Sequence, residues 1–147
     1  MRCDRDPLWP TARSSAMAEP STPTEIVAAF MKAMERKDYD AGVVYVSDDC
    51  HYENMPMGVA KGPAGVRAVL EPFFAPIVEN DFQVLRQAAD GPIVFIERLD
   101  RHKLPDRWVE LPVTGVYEVR DGKIVFWREY FDIATLYRAW PELQQAT

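Results

Sequence analysis

The chain has 147 residues, 48% of them hydrophobic and 27% charged, with a formal net charge of −6. It is long enough for one globular domain with a real core, and an acidic chain without a basic stripe argues against nucleic acid as its main partner. No apolar run approaches membrane-spanning length, and the two cysteines, Cys3 and Cys50, stand in no metal or redox spacing, which fits a reducing cytoplasm better than a disulfide framework.

Residues 1–20 show neither periodicity nor a signal-peptide apolar core, and their charges cancel: Arg2, Arg5 and Arg13 against Asp4, Asp6 and Glu19. They are expected to form a disordered extension ahead of a single domain over 21–147. Met17 is a possible alternative start. Thr22-Pro23-Thr24-Glu25 is a capping box with proline at the first helical position. Ile26, Val27, Phe30, Met31 and Met34 then recur on one helical face. A short helix is expected over 39–46, followed by a strand over 50–54 in which Cys50, Tyr52 and Asn54 share a face. Residues 55–61 read as a loop with proline and glycine. A third helix starts near Pro63, with Val66, Val69, Leu70, Phe73, Phe74 and Ile77 as its stripe. Pro72 and Pro76 fall inside that pattern, which predicts a bend near Pro72.

Strands follow. One is expected over 81–89, ended by Asp90-Gly91-Pro92. The next, over 93–100, places Val94, Ile96, Arg98 and Asp100 on one face, so two charges continue an apolar stripe. Unpaired ions on a core-facing side are costly, and Arg98 can bind two carboxylates through its planar fork. A strand over 107–119 contains Pro112, which suggests an edge or a bulge. Asp121-Gly122 turns it into a last strand over 123–131, where Val125, Trp127, Glu129 and Phe131 share a face. Asp132 is expected to cap a final helix over 133–140, which Pro141 helps to end. Helices followed by consecutive antiparallel strands make an α+β domain, a curved sheet wrapped with helices into a cone with an internal pocket.

There is no G-x-S-x-G elbow, no H-E-x-x-H and no phosphate-binding glycine loop. His51 and His102 sit in no metal spacing, and neither is expected to catalyse or to bind metal. No cofactor motif is present. Acid–base chemistry then falls to carboxylates, tyrosine and arginine. Asp100 and Glu129 are the candidate pair joined by Arg98, with Asp132 competing for the second place. Tyr52 and Asn54 are suited to holding a water or a small oxygen-bearing ligand.

Three stretches, Tyr52-Glu53-Asn54-Met55-Pro56, Glu97-Arg98-Leu99-Asp100 and Trp127-Arg128-Glu129-Tyr130-Phe131-Asp132, resemble the motifs of the limonene-1,2-epoxide hydrolase family, in the same order and spacing. The resemblance runs over about 21–140. It implies a nuclear transport factor 2-like cone, usually dimeric, and one-step opening of a small apolar epoxide by water, without a cofactor or an enzyme ester. It also implies roles: Tyr52, Asn54 and Glu129 hold the water and Glu129 deprotonates it. Asp100 protonates the epoxide oxygen, and Arg98 bridges the carboxylates. The pocket wall would include Met31, Met34, Phe73, Ile77, Phe82, Leu111, Val113 and Phe131. One departure is visible: the family's base is usually aspartate, and Glu129 is one methylene longer. The same cone also suits a ketosteroid-isomerase-like or polyketide-cyclase-like enzyme, or a carrier of apolar small molecules.

Overall fold

The computed structural model describes residues 19–145. The expected extension and Met17 therefore lie almost wholly outside the described residues. In chain order the elements are α1 (Pro23–Glu35), α2 (Tyr39–Val43), β1 (Val46–Asn54), β2 (Gly58–Lys61), α3 (Gly62–Phe74), β3 (Glu79–Asp90), β4 (Ile93–Lys103), β5 (Trp108–Arg120), β6 (Lys123–Tyr130), α4 (Ile133–Ala139) and α5 (Glu142–Gln145). The six strands form one unclosed sheet in the order β2-β1-β6-β5-β4-β3. β1 runs parallel to β6, and every other neighbouring pair is antiparallel. α1 packs across β3 to β6, α3 against β1 and β2, and α4 against β5. The expected α+β class is the observed one.

Local chemistry sets the helix starts. Thr22 Oγ1 accepts from the Glu25 N–H at 3.2 Å, and Glu25 Oε2 accepts from the Ser21 N–H at 3.3 Å. The box is thus closed one residue early, which still satisfies two donors ahead of the first turn. Ile26, Val27, Phe30, Ala33 and Met34 form the buried face of α1. Phe30 meets Trp127 edge-on at 5.1 Å, which ties the helix to the sheet.

Several expectations need correction. The loop over 55–61 contains β2, a short edge strand paired with β1. α2 ends at Val43, and β1 starts at Val46. α3 ends at Phe74, so Pro72 sits in its last turn and Pro76 outside it. Proline at 72 removes an N–H that would extend the ladder, and the chain turns instead: the Ile77 N–H donates to the Phe74 carbonyl at 3.0 Å. Pro112 lies in an interior strand, but β6 pairs with β5 only from Thr114 onward, so the proline is flanked by β4 alone. In β6, Val119 faces Ile124 while Glu118 faces Phe126, so Val125 is an extra residue. That bulge turns Ile124 into the core in place of Val125.

Candidate active site

β4 alternates without a break: Val94, Ile96, Arg98, Asp100 and His102 are buried on one face. Arg98 is 3% exposed and Asp100 7%. Arg98 Nε and Nη2 donate to the two oxygens of Asp100 at 2.9 and 3.0 Å. Nη2 also donates to Glu129 Oε1 at 2.9 Å. One guanidinium thus joins carboxylates from two strands that are not neighbours, β4 and β6.

The strand between them makes this possible. Gly115 on β5 pairs with Ile96 on one side and Glu129 on the other. A Cβ built at Gly115 would lie 2.6 Å from Glu129 Oε2, 2.9 Å from Tyr117 Cε2 and 3.2 Å from Arg98 Nη1. The missing side chain is the space through which Arg98 crosses β5, and the extra methylene of Glu129 is accommodated beside it. Tyr117, two residues on, is fully buried. Its hydroxyl accepts from Arg98 Nη1 at 3.0 Å, lies 3.3 Å from Glu129 Oε1 and 3.2 Å from Met31 Sδ. Sequence reasoning missed Gly115 and Tyr117. The period-two pattern from Val113 carried their facing, but not their reach across two strands.

Tyr52 and Asn54 approach from β1, where Tyr52 pairs with Trp127 and Asn54 with Glu129. Asn54 Nδ2 donates to the Tyr52 hydroxyl at 2.9 Å. That leaves the tyrosine hydrogen and the Asn54 carbonyl oxygen for another partner. Tyr52 stacks on Trp127 at 4.1 Å, and Tyr117 stacks on the other side of that indole's strand at 5.6 Å. Rigid rings therefore flank Glu129.

Burial pushes the Glu129 carboxyl above its ordinary range; Arg98 opposes that shift and Asp100 adds to it. Trp127 Nε1 helps to hold the charge without reaching hydrogen-bond geometry. Glu129 Oε2 is buried and has no hydrogen-bond partner among the described residues. Burial works against the Arg98 charge too, but Glu129, Tyr117 and Asp100 outweigh it, so the guanidinium stays protonated. One cation held by two carboxylates carries net charge −1 if both are ionised. A single proton shared by the pair makes the buried cluster neutral, its least costly state.

The cluster lies in the wall of an open cavity of about 140 Å³. Met31, Met34, Phe73, Phe82, Leu111, Val113 and Phe131 line it with the polar group Tyr52, Asn54, Arg98, Asp100 and Glu129. Ile77 does not line the cavity. It is 1% exposed and packed beyond the end of α3, because that helix stops before reaching it. His102, Met57, Val69, Leu70, Phe74, Trp127 and Leu136 complete the wall. Among the described residues, no group of three or more His, Cys, Asp or Glu is placed to hold a metal ion. Asp132 is not part of the wall. It caps α4, accepting from the Thr135 N–H at 3.0 Å and its hydroxyl at 2.6 Å, and those bonds lower its pKa.

Comparison with known proteins gives the family and the fold. Residues 21–142 match the family described as the limonene-1,2-epoxide hydrolase catalytic domain. The chain is 32% identical over 112 residues to the epoxide hydrolase EphG of Mycobacterium tuberculosis (strain ATCC 25618 / H37Rv), covering 76% of this chain and 74% of that protein. A solved M. tuberculosis LEH-like epoxide hydrolase superposes with a TM-score of 0.69 at 30% identity, over 85% of this chain and 96% of that one. A SnoaL-like polyketide cyclase type of protein from Shewanella denitrificans OS-217 shares the fold, with a TM-score of 0.74 at 14% identity over 82% of this chain and 97% of that one.

Proposed function

The chain belongs to the limonene-1,2-epoxide hydrolase family, and on that premise we propose that it adds water in one step to a small apolar, limonene-oxide-like or cyclic epoxide, giving a vicinal diol. The observation that carries this reading is Arg98 bound to both Asp100 and Glu129 beside an apolar cavity. An isomerase or a carrier has no need of a cation shared by two carboxylates.

The base is Glu129, because its Oε2 is the carboxylate oxygen left without a protein partner, whereas Arg98 occupies both oxygens of Asp100. A water held by Tyr52, Asn54 and Glu129 gives a proton to Glu129 as its oxygen attacks an epoxide carbon. The carbon–oxygen bond of the ring breaks, and Asp100 gives its proton to the departing oxygen. The step runs from the form in which the pair's single proton is on Asp100 and Glu129 is ionised; afterwards the reverse holds. Arg98 faces one negative charge throughout, so the buried cluster stays neutral. This avoids a free hydroxide and a free alkoxide, and each positioned proton transfer typically contributes ~10²–10⁴-fold. The proton on Glu129 then returns to Asp100 to reset the site.

Incubation with limonene oxide, cyclohexene oxide and a set of linear epoxides, followed by chromatography of the products, tests the activity. Diols are expected from the cyclic substrates. Absence of diol from every epoxide at high enzyme concentration would contradict the proposal.

A further inference from the structure

His102 continues the inward face of β4 two residues past Asp100, and the mechanism above does not use it. Its side chain is 2% exposed and forms part of the cavity wall. Phe73 and Phe82 stand edge-on to the ring at 5.4 and 6.0 Å, and Phe74 lies at 6.1 Å. A polar ring thus sits among phenylalanines. Nδ1 is 2.7 Å from Asn80 Oδ1, and Asn80 Nδ2 donates to the Glu35 carbonyl at 3.4 Å. The second contact orients the amide, because turning it over would set two carbonyl-type oxygens against each other. With Oδ1 as the acceptor, the hydrogen of a neutral His102 must be on Nδ1. Burial keeps the ring neutral, its pKa pushed down to about 4 despite the nearby Asp100. The chain from Glu35 through Asn80 therefore leaves Nε2 as a bare acceptor, and no protein donor meets it among the described residues. Nε2 is not sealed off, and an acceptor open to an otherwise apolar cavity is placed to orient a ligand donor.

We propose that His102 determines substrate specificity: Nε2 accepts a hydrogen bond from a hydroxyl carried by an otherwise apolar epoxide whose ring lies at Asp100. The inference rests on the epoxide reading and narrows its substrate class. Residues two apart on a strand are separated by about 7 Å. The hydroxyl should then stand about that far from the epoxide oxygen, on the far side of a six-membered ring or on an arm attached there. An epoxide that is hydrocarbon throughout leaves Nε2 unpaired, and sites built to hydrogen-bond a hydroxyl discriminate strongly against analogues lacking it.

The test compares limonene-1,2-oxide with the same epoxide bearing a hydroxyl on its side arm, in the wild type and in His102→Leu and His102→Gln. The wild type should prefer the hydroxylated epoxide in kcat/KM. His102→Leu should reduce that preference at least tenfold, and His102→Gln, which keeps an acceptor, should retain part of it. Calorimetric binding of the unreactive pair α-terpineol and limonene reads the same contact without any epoxide chemistry. Loss of the alcohol preference in His102→Leu there, with no epoxide turned over by the wild type, would uphold the acceptor site and overturn the hydrolase reading. An alcohol preference that is absent from the wild type, or unchanged in folded His102→Leu, would overturn the assignment. If His102→Leu does not fold, His102→Gln and the binding pair decide: full loss of the wild-type preference in His102→Gln overturns it, and partial retention upholds it.

Discussion

Glu129 and Asp132 stand three residues apart at the end of one strand, yet their surroundings divide their work. Glu129 is 4% exposed, bound to Arg98, and keeps one oxygen free. Asp132 has its charge committed to the first turn of α4. Glu129→Gln should nearly abolish turnover while the protein stays folded, since it removes the base and keeps the size. Asp132→Asn should remain active, because asparagine is also a good N-cap. Steady-state kinetics on both variants decides; an active Glu129→Gln beside a folded but dead Asp132→Asn would reverse the assignment. A second residue-scale expectation concerns acid stability. His102 is held near pKa 4 in the folded chain against 6.5 ordinarily. The unfolded chain binds the proton first as pH falls. The contribution of His102 is therefore complete above about pH 6.5 and is lost through the range down to about pH 4. The shift corresponds to a loss on the order of 3 kcal/mol. Denaturant unfolding at pH 7 and pH 4 should show a smaller loss for His102→Leu than for the wild type. Equal losses would mean that His102 does not carry the slope.

At the scale of elements, the site depends on four adjacent strands, β1, β6, β5 and β4, with β5 as the one that must give way. Gly115 is required there for close approach, since its Cβ position is already crowded by Glu129, Tyr117 and Arg98. Gly115→Ala should displace the bridge by a fraction of an ångström or more. Misplacement of that kind lowers turnover by roughly 10²-fold, and the overpacking should cost about 1–3 kcal/mol of stability. Paired measurements of kcat/KM and unfolding test this, and wild-type turnover in Gly115→Ala would contradict it. The elements also explain what was legible beforehand. Alternation along β4 put Arg98 and Asp100 in line with the buried Val94 and Ile96, because successive side chains of a strand point to opposite faces. The Thr22 and Asp132 caps were legible because capping is local. The bulge at Val125 was not, since it exists only relative to β1 and β5. Ile77 was misplaced because one proline-tolerant stripe ran past the real end of α3. Tyr117 and Asn80 were invisible as partners: pattern gives a residue its face, and only the folded register supplies its neighbour.

The molecule as a whole is an unclosed sheet with helices over its inner face, and no helix among the described residues is long and apolar enough to cross a membrane. Its outer surface retains exposed large apolar residues, among them Leu85, Phe95, Trp108 and Tyr130. Such residues suit the homodimer that the family resemblance implies. Sedimentation equilibrium should give twice the chain mass, and the single chain mass across micromolar concentrations would remove the dimer. In the proposed mechanism a water activated at Glu129 attacks the epoxide directly. A single turnover in ¹⁸O-water, with enzyme in excess over limonene oxide, tests it most directly. The first diol formed should carry one ¹⁸O atom. An ester intermediate would deliver an unlabelled oxygen from a carboxylate side chain in that first turnover, and unlabelled diol would contradict the account.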